Sequence, residues 1–227
     1  MIRQPLPNPA GEAYLSMTKK YIGLFVLMIG LAAPVIAQER LPMVSADKMT
    51  EDQKKAAQLF VSERGEPVTN FGPYVPIMRS PEIAMRARLL GDYLRFHSAI
   101  SSKLREFTIM LSARQFTQQY EWNYHYPLAL KAGVSADVLA AVANGARPTG
   151  MSSDEETVYD FLSELHRNQS VSDAVYAKTF SLLGDKGLID LVCLDGYFMM
   201  IAEVANVDRL PLPKGAKPGL TILPNNR

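Results

Sequence analysis

The sequence predicts an all-α protein. Three observations carry that reading. Helix-start signals recur along the chain after residue 50, glycines follow several of the apolar runs, and no segment alternates apolar and polar residues with the period of a strand. Thr50-Glu51-Asp52-Gln53 forms a capping box, and the helix it opens is expected to end near Gly65. Residues 66–79, with their prolines and glycine, read as an entry segment. Ser80-Pro81-Glu82 combines an N-cap, a proline at the first helical position and an early acid, opening a helix to about Phe96. Ser101 or Ser102 caps the next helix, over 103–116. Thr117 to Ala132 follows, stopped by Gly133. Ser135-Ala136-Asp137 starts a short helix that ends near Gly145. Ser153 is read as the cap of a helix over 154–168, and Ser172 as the cap of one over 173–183, ended by Gly184. The last helix, about Lys186 to Val204, is apolar on most of its surface, so burial on more than one side is expected. The proline-rich tail from Leu210 onward is expected to be extended.

The amino-terminal end has a different composition. Lys19 and Lys20 precede an almost wholly apolar run from Tyr21 to Ala33, and Val35 and Ala37 then supply the residues of a signal-peptidase site. A membrane-spanning helix needs about 20 apolar residues, and this run is shorter. The layout is that of an export signal cleaved after Ala37, with Met17 a candidate start. It implies a periplasmic or secreted protein with no stable membrane insertion. The resulting organisation is a signal over 1–37, a linker over 38–49, a helical domain over 50–213 and an extended tail over 214–227. Lys and Arg total 24 of the 227 residues and Asp and Glu 23. That balance lacks the positive field of a nucleic-acid binder. The single cysteine, Cys193, permits neither an intrachain disulfide nor a dithiol cycle within one subunit. Its apolar surroundings read as those of a buried small hydrophobe.

Two segments carry chemistry. In "QQYEWNYH", Gln118, Glu121 and His125 stand at i, i+3 and i+7, which places them on one helix face, with Trp122 one position round. Glu121 and His125 are i, i+4 neighbours. A carboxylate there would hold the imidazole in one tautomer and raise its pKa, as proton-transfer catalysis requires. In "LREFTIMLSARQF", Glu106 shares a face with Met110 and Ala113; it reads either as a core-facing carboxylate, which needs a partner, or as a solvated residue if the helical phase is shifted. Arg105 and Arg114 flank that helix. Periodicity alone leaves two readings for the Glu121–His125 pair, a surface ion pair or an acid–base site. His97 and His166 read as helix-end residues beside the helix dipole. No HxxxH spacing points to a metal, and there is no phosphate loop or GxSxG elbow.

The run "LREFTIMLSARQFTQQYEWNYHYPLALKAGVSADVLAAV" resembles the carboxymuconolactone decarboxylase family, within the alkylhydroperoxidase-D-like superfamily. The likeness spans roughly Thr50 to Pro213, including "FGPYVPIMRSPEIAMRARLLGDYLRF" and "LVCLDGYFMMIAEVANVDRLPLP". Redox members of the superfamily carry a glutamate, a CxxC pair and a histidine. On that pattern Glu106 and His125 match, whereas the cysteine positions fall on Gln118 and Glu121. The missing dithiol disfavours a peroxidase-like role. The resemblance implies cofactor-free acid–base chemistry on a carboxylated lactone or related small-molecule carbonyl compound. His125 would be the proton donor or relay, Glu121 would orient it, and Glu106 would complete the cluster. Arg114 would hold a substrate carboxylate, with Trp122 and Gln118 also at the substrate. The resemblance further implies a homo-oligomer, a trimer or hexamer. A non-catalytic ligand-binding or assembly role is the other reading.

Overall fold

The computed structural model describes residues 38–64 and 72–223. The signal expected over 1–37, the end of the first helix at Gly65, most of the entry segment before Gly72 and the last four residues of the tail lie outside them. Every regular element among the described residues is helical: α1 Glu51–Arg64, α2 Tyr74–Ile77, α3 Pro81–Phe96, α4 Ser102–Gln115, α5 Gln119–Ala132, α6 Ala136–Ala143, α7 Ser153–Asn168 and α8 Asp173–Asp208, with one 3₁₀ turn at Ala46–Lys48. The all-α expectation holds.

The caps set these boundaries as local chemistry demands. Thr50 and Gln53 bond reciprocally, N–H of each to side-chain oxygen of the other, at 3.0 and 3.2 Å. Ser101, Ser135 and Ser172 accept from the first turns of α4, α6 and α8. The cap of α7 is Ser152 rather than Ser153, because Glu155 stands three residues later and closes a capping box with Ser152. Gly133 ends α5 in the left-handed conformation, at φ 98°. The short helix α2 replaces part of the expected entry loop, with Pro76 inside it. α5 opens at Gln119, because Thr117 is left-handed at φ 50°.

α4 is the central rod. It packs against α5, α6, α7 and α8. Its residues from Glu106 to Ala113 are all buried, so no side of its middle faces water. The helix buried on more than one side is α4, whereas the last helix, expected to be so, keeps one open face. α8 buries Leu188, Leu191, Leu194, Phe198 and Ile201 but exposes Ile189 and Val192. Cys193 lies beside that open stripe and is exposed, which corrects its reading as a buried hydrophobe. The helical period puts Leu191 and Leu194 inward and leaves Val192 and Cys193 outward. Gly184 breaks the helical backbone within α8, at φ 66° and ψ −177°.

The tail carries no regular structure but is fastened to the body. Gln119 Nε2 donates to Leu220 O at 2.8 Å, and Gln119 Oε1 accepts from the amides of Gly219 and Leu220 at 2.9 and 3.0 Å. Leu220 is buried. A Cβ on Gly219 would stand 2.7 Å from the Trp122 indole nitrogen, so only glycine permits this approach.

Gln119 therefore fastens the Gly219–Leu220 stretch, while Arg114 and Asn144 hold Thr221 beyond it. Replacing Gln119 by Ala removes all three bonds, and each exposed-edge hydrogen bond contributes about 1 kcal/mol. Hydrogen exchange at the Gly219 and Leu220 amides should speed up at least about tenfold, with α4 amides unchanged. Unchanged exchange at the two tail amides would show that Gln119 does not hold the segment.

Candidate active site

The α4–α5 corner brings the chemistry together. Gln118 N–H donates to Ala113 O at 2.8 Å, and Thr117 N–H donates to Arg114 O at 3.0 Å, which reverses the chain after α4. A β-branched residue at positive φ is strained, so the packing around Thr117 must hold it there. Arg114 does so in part, through Nη2 to Thr117 Oγ1 at 2.5 Å. Gln118 then caps α5, its Oε1 accepting from the amides of Tyr120 and Glu121. α5 packs along α4, and its seventh residue, His125, meets Glu106.

At the centre, His125 Nδ1 lies 2.8 Å from Glu106 Oε2. The residues are 2% and 7% exposed. His125 Nε2 lies 3.6 Å from Oε2 of Glu121, which is 5% exposed. The first separation is a hydrogen bond and the second is not. Glu106 therefore orients the imidazole, the role expected of Glu121. With Nδ1–H donated to Glu106, Nε2 is the nitrogen left for chemistry. The Phe198 ring meets the imidazole edge-on at 5.1 Å and fixes its plane. Burial raises the Glu121 carboxyl above the ordinary glutamate value, while His125 and Arg95 draw it back.

A cavity of about 60 Å³ opens on this cluster. Glu121 and His125 form one wall and Arg95 of α3 another. The Arg95 guanidinium lies over the Phe96 ring at 5.1 Å, and its Nε is buried without a hydrogen-bond partner among the described residues. Tyr74 and Tyr197 also line the cavity, their hydroxyls 2.5 Å apart. Gly91 completes it. A Cβ there would stand 2.7 Å from Tyr197 Cζ and closer still to its hydroxyl oxygen. The arrangement can move a proton between a buried imidazole and a buried carboxyl, and can pair with an anion through Arg95.

Glu106, Glu121 and His125 thus come together, while three other expected residues stand elsewhere. Arg114 does not line this cavity. Its Nη1 donates to Ala143 O and Thr221 O, at 2.9 and 2.6 Å, on the far side of α4. Trp122 is buried against Tyr126, 6.2 Å between ring centroids, and lines a different surface with Gly219. Gln118 spends its oxygen on the cap and its Nε2 on Asn206. Arg95, Tyr74, Tyr197 and Phe198 went unread because their helices are distant in sequence. The one local hint was Gly91 and Arg95 at i, i+4 on a helix. Among the described residues, no group of three or more His, Cys, Asp or Glu side chains is arranged to hold a metal ion.

No protein-family model and no curated protein matches the sequence. Among solved structures, the fold is similar to that of the alkylhydroperoxidase AhpD core of an uncharacterized peroxidase-related protein from Ralstonia eutropha JMP134. The likeness has a TM-score of 0.61 at 13% identity and covers 78% of this chain and 93% of that one. At that identity the likeness is one of fold. The all-helical architecture is that of the AhpD core.

Two outcomes follow from this geometry. Ala is the better helix former by about 1 kcal/mol, yet Gly91→Ala should displace Tyr197 and lower stability by roughly 1–3 kcal/mol in urea unfolding. A stabilised variant would mean the tyrosine moves freely. The second concerns pH. A carboxyl raised in the folded state favours folding most below its unfolded value of 4.5 and loses that contribution as pH rises through the raised value. Glu121→Gln should therefore gain stability relative to wild type with increasing pH above 4.5. Parallel stability curves from acid to neutral pH would remove burial of Glu121 as the cause.

Proposed function

We propose that the chain is a cofactor-free acid–base enzyme acting on a small carbonyl compound that bears a carboxylate, of the carboxylated-lactone type, by decarboxylation or proton transfer. One observation carries this reading. A buried imidazole fixed through Nδ1 by Glu106 faces a second buried carboxyl, on the wall of a cavity whose arginine has a buried Nε–H with no acceptor among the described residues. Arg95 pairs with a carboxylate of the substrate, the role expected of Arg114 from charge alone. In decarboxylation the bond to the departing carboxyl breaks and its electron pair passes into an enolate. The paired Tyr74 and Tyr197 hydroxyls line the same cavity and form its neutral polar wall. The carbon then takes a proton from Glu121 or His125, and burial keeps Glu121 protonated to higher pH than usual. Water is kept out by the aromatic walls.

On the resemblance, the thiol positions of redox members fall on Gln118 and Glu121, and the exposed Cys193 does not line this cavity. The signal layout supports work in the periplasm or outside the cell. The exposed apolar side chains Leu89 and Phe96 of α3 and Ile189 and Val192 of α8 support a homo-oligomer.

The test is carbon dioxide release and ultraviolet change with a panel of carboxylated lactones. His125→Ala should lower kcat about 10²- to 10⁴-fold with the fold intact. Arg95→Ala should raise KM about 10- to 100-fold for carboxylated substrates. Cys193→Ser should change neither. No turnover by folded wild type would overturn the decarboxylase reading, and loss of activity in Cys193→Ser would favour thiol chemistry.

A further inference from the structure

A second cavity lies on the other side of α4. It measures about 500 Å³, far larger than the one at His125. Its charged lining is Arg114 of α4 with His166 and Arg167 of α7, and no Asp or Glu side chain joins them. The acids nearest on α7 are engaged elsewhere, Asp160 by Arg147 and Glu164 by Ser172. The remaining wall includes Leu111, Val142 and Leu162.

Each cation is placed by a distinct device. Arg114 is held by the carbonyls of Ala143 and Thr221 and by Thr117 Oγ1, which takes three of its five N–H groups and leaves two. Burial lowers its pKa, and no carboxylate offsets that. His166 Nε2 lies 2.8 Å from Asp195 Oδ2, and Asp195 is 1% exposed. Ser112 Oγ lies 2.7 Å from the other Asp195 oxygen. The three side chains are the types found in a hydrolase triad, but the order is wrong for one. The carboxylate stands between serine and histidine, so no base activates Ser112, which is fully buried. The device fixes an imidazole at a cavity wall and leaves its Nδ1 uncommitted. Arg167 is exposed and makes no hydrogen bond or ion pair with a described residue. Two arginines with no carboxylate partner, beside an imidazole whose charge Asp195 offsets, create a positive potential over an apolar-walled space.

We propose that this cavity is a second binding site, for an organic anion whose carboxylate or phosphate head meets Arg114, His166 and Arg167 and whose apolar body lies against Leu111, Val142 and Leu162. It is separate from the His125 cavity and does not rest on the reaction proposed there.

Calorimetric titration with benzoate, phenyl phosphate and neutral benzamide tests it. Arg95→Gln protein serves as the background, so that the His125 cavity is silenced for anions. Saturable binding of benzoate or phenyl phosphate is expected, and the tighter of the two identifies the head group. Arg167→Gln, an exposed substitution that spares the Asp195 cluster, should weaken that binding roughly tenfold. Amide shifts on binding should map to α7 and the end of α4. The proposal is overturned if neither anion binds, if benzamide binds as well as the anions, or if Arg167→Gln leaves affinity unchanged.

Discussion

The hydrogen bond between Glu106 and His125 is the constraint around which the rest of this protein is arranged. A carboxylate in the middle of a helix that touches water on no side is costly unless something meets its charge. His125 meets it across the α4–α5 contact at 2.8 Å. Removing either partner of such a buried pair would cost about 3–5 kcal/mol, because the other would remain buried alone. The pair therefore fixes how α5 lies against α4. It also leaves a nitrogen of the imidazole on a cavity wall. Structure and chemistry depend on the same bond.

α4 repeats the device on its other side. Ser112, also fully buried, is satisfied by Asp195 of α8, and Asp195 is satisfied in turn by His166 of α7. A central helix with polar groups on two faces needs specific neighbours on both. That requirement sets the positions of α5 on one side and of α7 and α8 on the other. Each pairing ends in a histidine at a cavity. The two cavities differ in character. The one at His125 is small and walled by tyrosines and phenylalanine, while the one at His166 is roomy and lined with cations.

Much of this was legible in the chain. Serine caps, a capping box and glycine stops act within a few residues, so most capped helix starts could be read to within one or two positions, as at Ser152 against Ser153, whereas α2 was not read and the last helix runs four residues past Val204. Glu106, with Met110 and Ala113 on its face, was legible as a core-facing acid because the helical period is local. Glu121 and His125 were legible as neighbours for the same reason. Cys193 was misread because apolar neighbours in sequence do not say which side of a helix faces out. Arg114 was misread because charge near a site does not give direction. Its side chain turns to the carbonyls of Ala143 and Thr221 instead.

The sequence by itself determined the all-α class, the capped helix starts and the candidate residues Glu106, Glu121 and His125. Each of these depends on interactions between residues a turn or two apart. Only the tertiary structure decided that Glu106, nineteen positions from His125, is the carboxylate that holds the imidazole. It also decided that Arg95, Tyr74 and Tyr197 close the cavity. Those contacts join helices far apart in the chain. They follow from the strained turn at Thr117 and the packing of α3 and α8, which no local period encodes.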